Sequence, residues 1–531
     1  MSYTSFIYLL FLAIACLSYY LMPVKARWAV LLWANIVFYL FSGWDNFIFL
    51  LGAIAVSYFV ACKMSDNHAE FKALKKSGTY DRKELKVIKE QYEAKRKKML
   101  LIGLAFVILL LVVVKYTNFI LGNVYSLLEL MGFEHDQVFF NIIMPMGISF
   151  FVFQIIAYLM DVYRGDIDAQ KNFLRYSLYI SFFPTVVQGP IPRYKFLGTQ
   201  LENEHPFSYE NIRDGAIQII WGFAKKLILS ERLATFVSQI YDNYAANSYK
   251  GIILVIATVA FSIQIYADFS GCMDIATGSA RLFGIQLPDN FLRPYFSKNM
   301  PEFWRRWHVS LGTWFKDYVL YPFSISPRLL KLNKNIRAKF GAEAGRIIFS
   351  AIPIYAVWML TGVWHGAQWN YIIWGLFHGT LIVMSMIYEP YNKKVIEKLQ
   401  IKTDCFSFRL FQMARTFTLC CVGRVFFRAN GFMDAMGIFK NMFSGLGLEF
   451  IRGGRIFEYG LNRENMLVVL IAIVVLWIVS MLQEKMDVLE ALSKQNLIFR
   501  WAIIYALFFA VLIFGQYGPG YDSSSFIYEQ F

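Results

Sequence analysis

Apolar runs of the ~20 residues needed to cross a bilayer recur along the whole of this 531-residue sequence, from 4–22 and 28–42 through 99–121, 142–160 and 251–267 to 370–388, 465–483 and 499–516. They are continuous, whereas the strands of a membrane barrel would show short alternating segments. Charged residues make up only 17% of the chain, against roughly 25% in ordinary soluble domains. The predicted fold is all-α: a polytopic transmembrane helical bundle of about eleven spans, with re-entrant or interfacial helices besides. The stretch 181–193 carries Pro184, Pro190, Pro192 and Gly189. Broken backbone is tolerated at membrane depth only where protein or water surrounds it, so a re-entrant or discontinuous element is expected there.

Positive charge sets the expected orientation. The net charge is +15, but the basic residues concentrate in short loops. Lys63 to Lys98 holds 12 Lys/Arg against 6 Asp/Glu in a helix-compatible pattern, and Arg328 to Arg346 has Glu343 as its only acid. Excess Lys/Arg in such loops marks the cytoplasmic face and suits contact with anionic membrane lipids; no nucleic-acid partner is expected. Three apolar segments precede 63–98, which puts the N-terminus outside and Lys25 and Arg27 inside. The sequence reads as one integral-membrane domain over 1–531 with a basic cytoplasmic insertion at 63–98, in a multi-pass protein of the cell membrane (inner or plasma). The segment from Ser5 to Met22 lacks a basic leader and a small-residue cleavage site, and reads as a retained span. The six cysteines show no metal-ligand spacing and no disulfide framework, so no metal is expected.

An ionisable side chain at membrane depth needs a partner, water or a use, and histidine is well suited to exchanging a proton near neutral pH. His365 falls in Trp364-His365-Gly366, at the turn expected between 347–364 and 370–388. The charge bias puts that turn on the outer side or within the membrane. His308 ends Phe303-Trp304-Arg305-Arg306-Trp307-His308, 57 residues earlier. Structural readings stand beside the catalytic ones: a buried imidazole bonded to a backbone carbonyl for His365, and a headgroup-binding segment around Arg305 and Arg306 for His308. The same two arginines suit the phosphates of a coenzyme. His378 would lie on a different side of a continuous helix from His365 and reads as a packing residue, while His68, His135 and His205 read as exposed. Asp268, Asp274 and Asp161 read as buried charges in need of partners.

Taken in order, several stretches resemble the membrane-bound O-acyltransferase family, in particular its bacterial alginate O-acetyltransferase-like branch. They are Asp161-Val162-Tyr163-Arg164-Gly165, Gln188-Gly189-Pro190-Ile191-Pro192-Arg193, Asp268-Phe269-Ser270-Gly271, Phe303 to Leu311, Trp364-His365-Gly366 and Arg424-Val425-Phe426-Phe427-Arg428-Ala429. The resemblance implies an O-acyltransferase with His365 as the essential histidine and His308 as its catalytic partner. It implies a tunnel between a cytosolic donor and an outer hydroxyl, with Arg305, Arg306, Trp304, Trp364 and Asp268 as candidate donor-binding or tunnel residues. No bound cofactor is implied; the donor substrate is a thioester, acetyl-CoA or an acyl carrier protein, and acetyl is the favoured group. The acceptor is an extracytoplasmic polysaccharide, reached directly or through a secreted or membrane-anchored SGNH-type acyltransferase partner. The ending Phe526-Ile527-Tyr528-Glu529-Gln530-Phe531 resembles that of alginate-type members, which makes Tyr528 a candidate acyl carrier; an aromatic interfacial belt is the other reading. D-alanyl transfer to teichoic acid is the alternative chemistry. A transporter, or a structural subunit of a polysaccharide-export complex, is the alternative of another class.

Overall fold

Helices dominate the computed structural model, which describes residues 1–133, 136–247 and 249–518. His135 and Tyr528 lie outside the described residues. No strand forms among those described, and Phe291 and Trp307 make an isolated bridge. Eight described helices are long and apolar enough to cross a membrane: Trp44–Ser77, Arg82–Leu130, Ile252–Leu282, Pro327–His365, Trp369–Lys398, Phe406–Arg428, Arg463–Gln483 and Leu497–Phe514. Phe6–Leu21 is apolar but shorter. The all-α polytopic expectation holds, with eight such helices where the apolar runs suggest about eleven spans. The chain divides into two compact units, one of 1–216 with 276–288 and one of 217–275 with 289–531.

In the first unit the basic insertion is a helical extension of two apolar helices. Trp44–Ser77 ends at Gly78, whose φ of 69° is the left-handed turn that glycine adopts freely. Arg82–Leu130 begins at a capping box in which Asp81 and Glu84 satisfy each other's backbone N–H. At 1.5 Å per residue its 49 residues run for about 74 Å, more than twice the ~30 Å hydrocarbon thickness. The proline-rich stretch breaks as expected. Phe173–Ser181 stops, Phe183–Val186 makes a single turn, and the π-helix Tyr194–Gly198 follows. Residues 181–192 are buried throughout, so protein encloses the irregular backbone.

In the second unit, Pro327–His365 and Trp369–Lys398 form a tight antiparallel hairpin. Glycine makes the contact. A β-carbon at Gly375 would strike the Trp358 carbonyl, and one at Gly362 would strike the Tyr371 carbonyl; small residues let helix backbones meet in this way. The basic stretch 328–346, expected as a loop, is instead helical, interrupted at Gly341 (φ 87°, ψ 169°). Its Lys, Leu, Arg and Ala residues are good helix formers, and a charge bias reports membrane side, not backbone conformation. Arg463–Gln483 and Leu497–Phe514 bury 11% and 0% of their apolar windows, which leaves these faces for lipid.

The glycine contacts give a direct test. Gly375→Ala should destabilise the protein by about 1–3 kcal/mol, because a backbone carbonyl has no rotamer with which to withdraw. Gly52→Ala, in a helix where nothing lies within 4 Å, should be neutral or stabilising by about 0.5–1 kcal/mol. Thermal unfolding of the purified variants in detergent measures both, and equal melting would remove the close approach as a determinant of stability.

Candidate functional site

Gly366, extended at φ −178°, stops the Pro327–His365 helix at His365, and the chain re-enters a helix at Trp369. The imidazole is 3% exposed. Its ring meets those of Trp374, Phe427 and Trp364 at centroid distances of 4.9, 5.3 and 4.8 Å. His365 is therefore held in an aromatic enclosure, with its backbone fixed by the hairpin.

His308 sits at the break between Met300–Arg306 and Val309–Phe315. It adopts φ 49° and ψ 54°, a left-handed conformation uncommon for a residue with a β-carbon. Asn290 holds the break in place. Its Oδ1 accepts from the Ser310 backbone N–H (3.0 Å) and hydroxyl (2.9 Å) and lies 3.1 Å from His308 Nδ1. An N–H can only donate, so this Asn290 atom is the amide oxygen, and Nδ1 of His308 must carry the proton. Nε2 is then the acceptor nitrogen of the neutral ring. Burial pushes the His308 pKa down to about 3, which keeps the ring neutral near physiological pH.

The two histidines predicted from the sequence converge on one side chain. The Trp364 ring lies 4.8 Å from that of His365 and 5.9 Å from that of His308. Phe269 meets His308 edge-on at 4.8 Å, so the Asp268-Phe269-Ser270-Gly271 stretch reaches the site through its phenylalanine. Trp304 packs on Trp358 (4.6 Å) and His378 (4.8 Å). His378 is buried against Trp374 as well, at 5.1 Å, in keeping with a packing residue.

Asp268 is fully buried in an ion cluster. Lys226 donates to it at 2.7 Å and also pairs with Glu231 at 2.5 Å, while the Ser230 hydroxyl donates to Asp268 at 3.3 Å. Lys225 pairs with Asp274 and donates to Ser270 at 2.9 Å. The expected pairing is present, but its partners are lysines that the sequence reading missed, both on the π-helix Ala224–Ser230. Two consecutive lysines, Lys225 and Lys226, in an otherwise apolar run were the available signal. Arg306 is held by Glu302 (2.9 Å) and Glu484 (2.7 Å), so two carboxylates already answer its charge; Arg305 is exposed. Arg424, which opens the last internal stretch of the resemblance, had no role assigned from the sequence. It lies in Phe406–Arg428 with its guanidinium 4.4 Å from the Trp307 ring and 5.9 Å from Phe427. Among the described residues no group of three or more His, Cys, Asp or Glu could hold a metal. The arrangement brings together two buried imidazoles, one with its acceptor nitrogen identified, among aromatic rings.

The model of the membrane-bound O-acyltransferase family matches residues 165–337, which include His308 and stop short of His365. A "Probable alginate O-acetylase AlgI" of Pseudomonas syringae pv. tomato is 29% identical over 439 residues, 82% of this chain and 73% of that protein. A "Peptidoglycan O-acetyltransferase" of Helicobacter pylori is 28% identical over 488 residues, 86% and 82% of the two chains. A "Teichoic acid D-alanyltransferase" of Bacillus subtilis is 33% identical over 258 residues, 48% and 62% respectively.

The Asn290 contact and the burial of His308 predict its titration. Because the pKa lies below the ordinary 6.5, the ring should stay neutral from pH 8 down to pH 5. In protein labelled at histidine, the His308 signal, assigned by its loss in His308→Gln, should not move over that range. A midpoint near 6.5 would mean that water reaches the ring.

Proposed function

The chain is an O-acyltransferase of the membrane-bound O-acyltransferase family, and from that premise we propose that it moves an acetyl group from a cytosolic thioester to a hydroxyl on the outer side of the cell membrane. The donor is acetyl-CoA or an acyl carrier protein thioester, bound as a substrate. His365 takes the proton of the attacking hydroxyl as the new C–O bond forms, and returns it to the departing thiolate as the C–S bond breaks. His308, with Nε2 as its acceptor nitrogen, orients the hydroxyl. The convergence of the two buried imidazoles on Trp364 is the observation that carries this reading. Two imidazoles able to handle a proton while otherwise neutral suit a setting where a charged side chain would be costly, which supports the reading.

Acetyl is preferred over D-alanyl because the alginate and peptidoglycan relatives align over 82% and 86% of this chain, and the D-alanyltransferase over 48%. The acceptor is a polysaccharide outside the membrane. It is reached directly or through an SGNH-type partner, secreted or membrane-anchored, with Tyr528 as the acyl carrier. The basic stretch 63–98 faces the cytosol, which puts the N-terminus outside and the His365 turn toward the acceptor.

His365→Gln, at normal membrane levels, should lower O-acetylation of the exported polymer by about 10²–10⁴-fold, measured as acetate released by mild base. Undiminished acetate would favour a transporter or a structural subunit instead. Tyr528→Phe should leave the protein in the membrane but stop polymer acetylation, and mass spectrometry of the wild-type C-terminal peptide should find an added acetyl group on Tyr528. Normal acetylation in that variant would take Tyr528 out of the pathway.

A further inference from the structure

Arg424 is a buried cation with no carboxylate paired to it among the described residues. It is 2% exposed, and neither Nη1 nor Nη2 finds a hydrogen-bond acceptor there. Two other arginines of this unit have carboxylate partners. Arg428, four residues further along the same helix, donates to Asp242 at 2.8 Å, and Arg306 is paired twice. What Arg424 has is the face of Trp307, 4.4 Å from its central carbon. Stacking supports a guanidinium without engaging its N–H groups. A charge desolvated to this degree is costly without a hydrogen-bonding counter-charge.

We propose that Arg424 is the anion-binding residue of the acyl-transfer site, and that its anion is the acyl carbonyl oxygen as negative charge develops on it. The inference rests on the acyltransferase reading above. Its position suits the role. Phe427, three residues on and so on the same helix face, meets the rings of His365 and Trp374 at 5.3 Å each. Gly423, the preceding residue, leaves room for His378 Nε2. Trp307, beneath the guanidinium, directly precedes His308 in the chain. The chemistry has a matching gap. When the hydroxyl oxygen attacks the thioester carbon, the carbonyl π-pair moves onto oxygen; it re-forms the double bond as the C–S bond breaks and the proton held by His365 passes to sulfur. The histidines handle the proton, and the oxygen needs donors of its own. A single unpaired guanidinium offers one positive charge with forked N–H groups. That fits one developing negative charge better than a polyphosphate, which would call for several cations.

The test uses the purified full-length protein in proteoliposomes, with acetyl-CoA as donor and a uronate oligosaccharide as acceptor, following thiol release and ester formation. Arg424→Met should lower kcat by about 10²–10³-fold with donor KM changed by less than about twofold. Arg424→Lys should recover part of the loss, and methylguanidinium should partly restore Arg424→Ala. Unchanged kcat in Arg424→Met overturns the proposal. A raised KM at unchanged kcat also overturns it, assigning Arg424 to ground-state binding of the donor. Should Arg424→Met fail to fold, Arg424→Lys decides: a folded variant with wild-type kcat overturns the proposal, and a folded variant with lowered kcat at constant KM supports it. His365→Gln, assayed alongside, separates the two readings. Full activity there removes the acyltransferase mechanism, whereas its loss together with an indifferent Arg424 removes this inference alone.

Discussion

Backbone meets backbone where Gly362 and Gly375 cross, and the site is positioned from that crossing. A carbonyl seated against an α-carbon cannot change rotamer, so the two helices of the hairpin have little freedom to slide or rotate. With the hairpin fixed, Gly366 ends the first helix at His365, and Trp374 arrives beside the imidazole from the return helix. The histidine is thus presented by helix geometry more than by its own side-chain conformation, a precise way to hold a side chain in place. His308 reaches a comparable result differently. Its strained backbone is tied down by the three bonds that converge on Asn290 Oδ1, as expected where surroundings over-determine an unfavourable conformation.

Buried polar chemistry in the second unit takes two forms. In the Lys225–Asp274 and Lys226–Asp268 cluster, opposite charges meet and add hydrogen bonds from Ser230 or to Ser270. Desolvation makes such pairs poor sources of net stability, but removing one partner would strand the other. They fix the relation of the 224–230 π-helix to the Ile252–Leu282 helix. Around His365 the neighbours are aromatic rings, whose edges and faces offer weak, adaptable electrostatics. The rings enclose His365 by shape and weak polarity, without the fixed opposite charges that hold Lys225 and Lys226.

The helical class was legible because an apolar run of about twenty residues can satisfy its backbone in lipid only by closing hydrogen bonds within itself. The hairpin turn at Trp364-His365-Gly366 and the break near Pro184 were legible for local reasons: glycine and proline act on their own backbone. Relations that depend on distant partners were not. Asn290 meets His308 across 18 residues and Arg306 meets Glu484 across 178, and no spacing rule joins either pair. Arg306 read as a phosphate contact because its charge was visible and its carboxylate partner was not. Lys225 and Lys226 show the same gap from the other side. The carboxylates announced a need for partners, but the direction of two consecutive lysines depends on a π-helical turn that the residues do not announce. Helicity in 328–346 was hidden because its charge drew attention to membrane side.

The Arg82–Leu130 helix has a mechanical consequence. No interruption in its 49 residues separates the basic portion from the apolar one, and the companion helix Trp44–Ser77 runs beside it in the same way. A hydrogen-bonded helix resists bending and twisting far more than a loop does, so the pair acts as a stiff handle. Torque applied at Lys83 or Lys86 by a charged surface is delivered along the rod to Val107 and Leu111, where side chains are packed. A joint at the membrane boundary would absorb such a movement, and this chain has built that boundary without one.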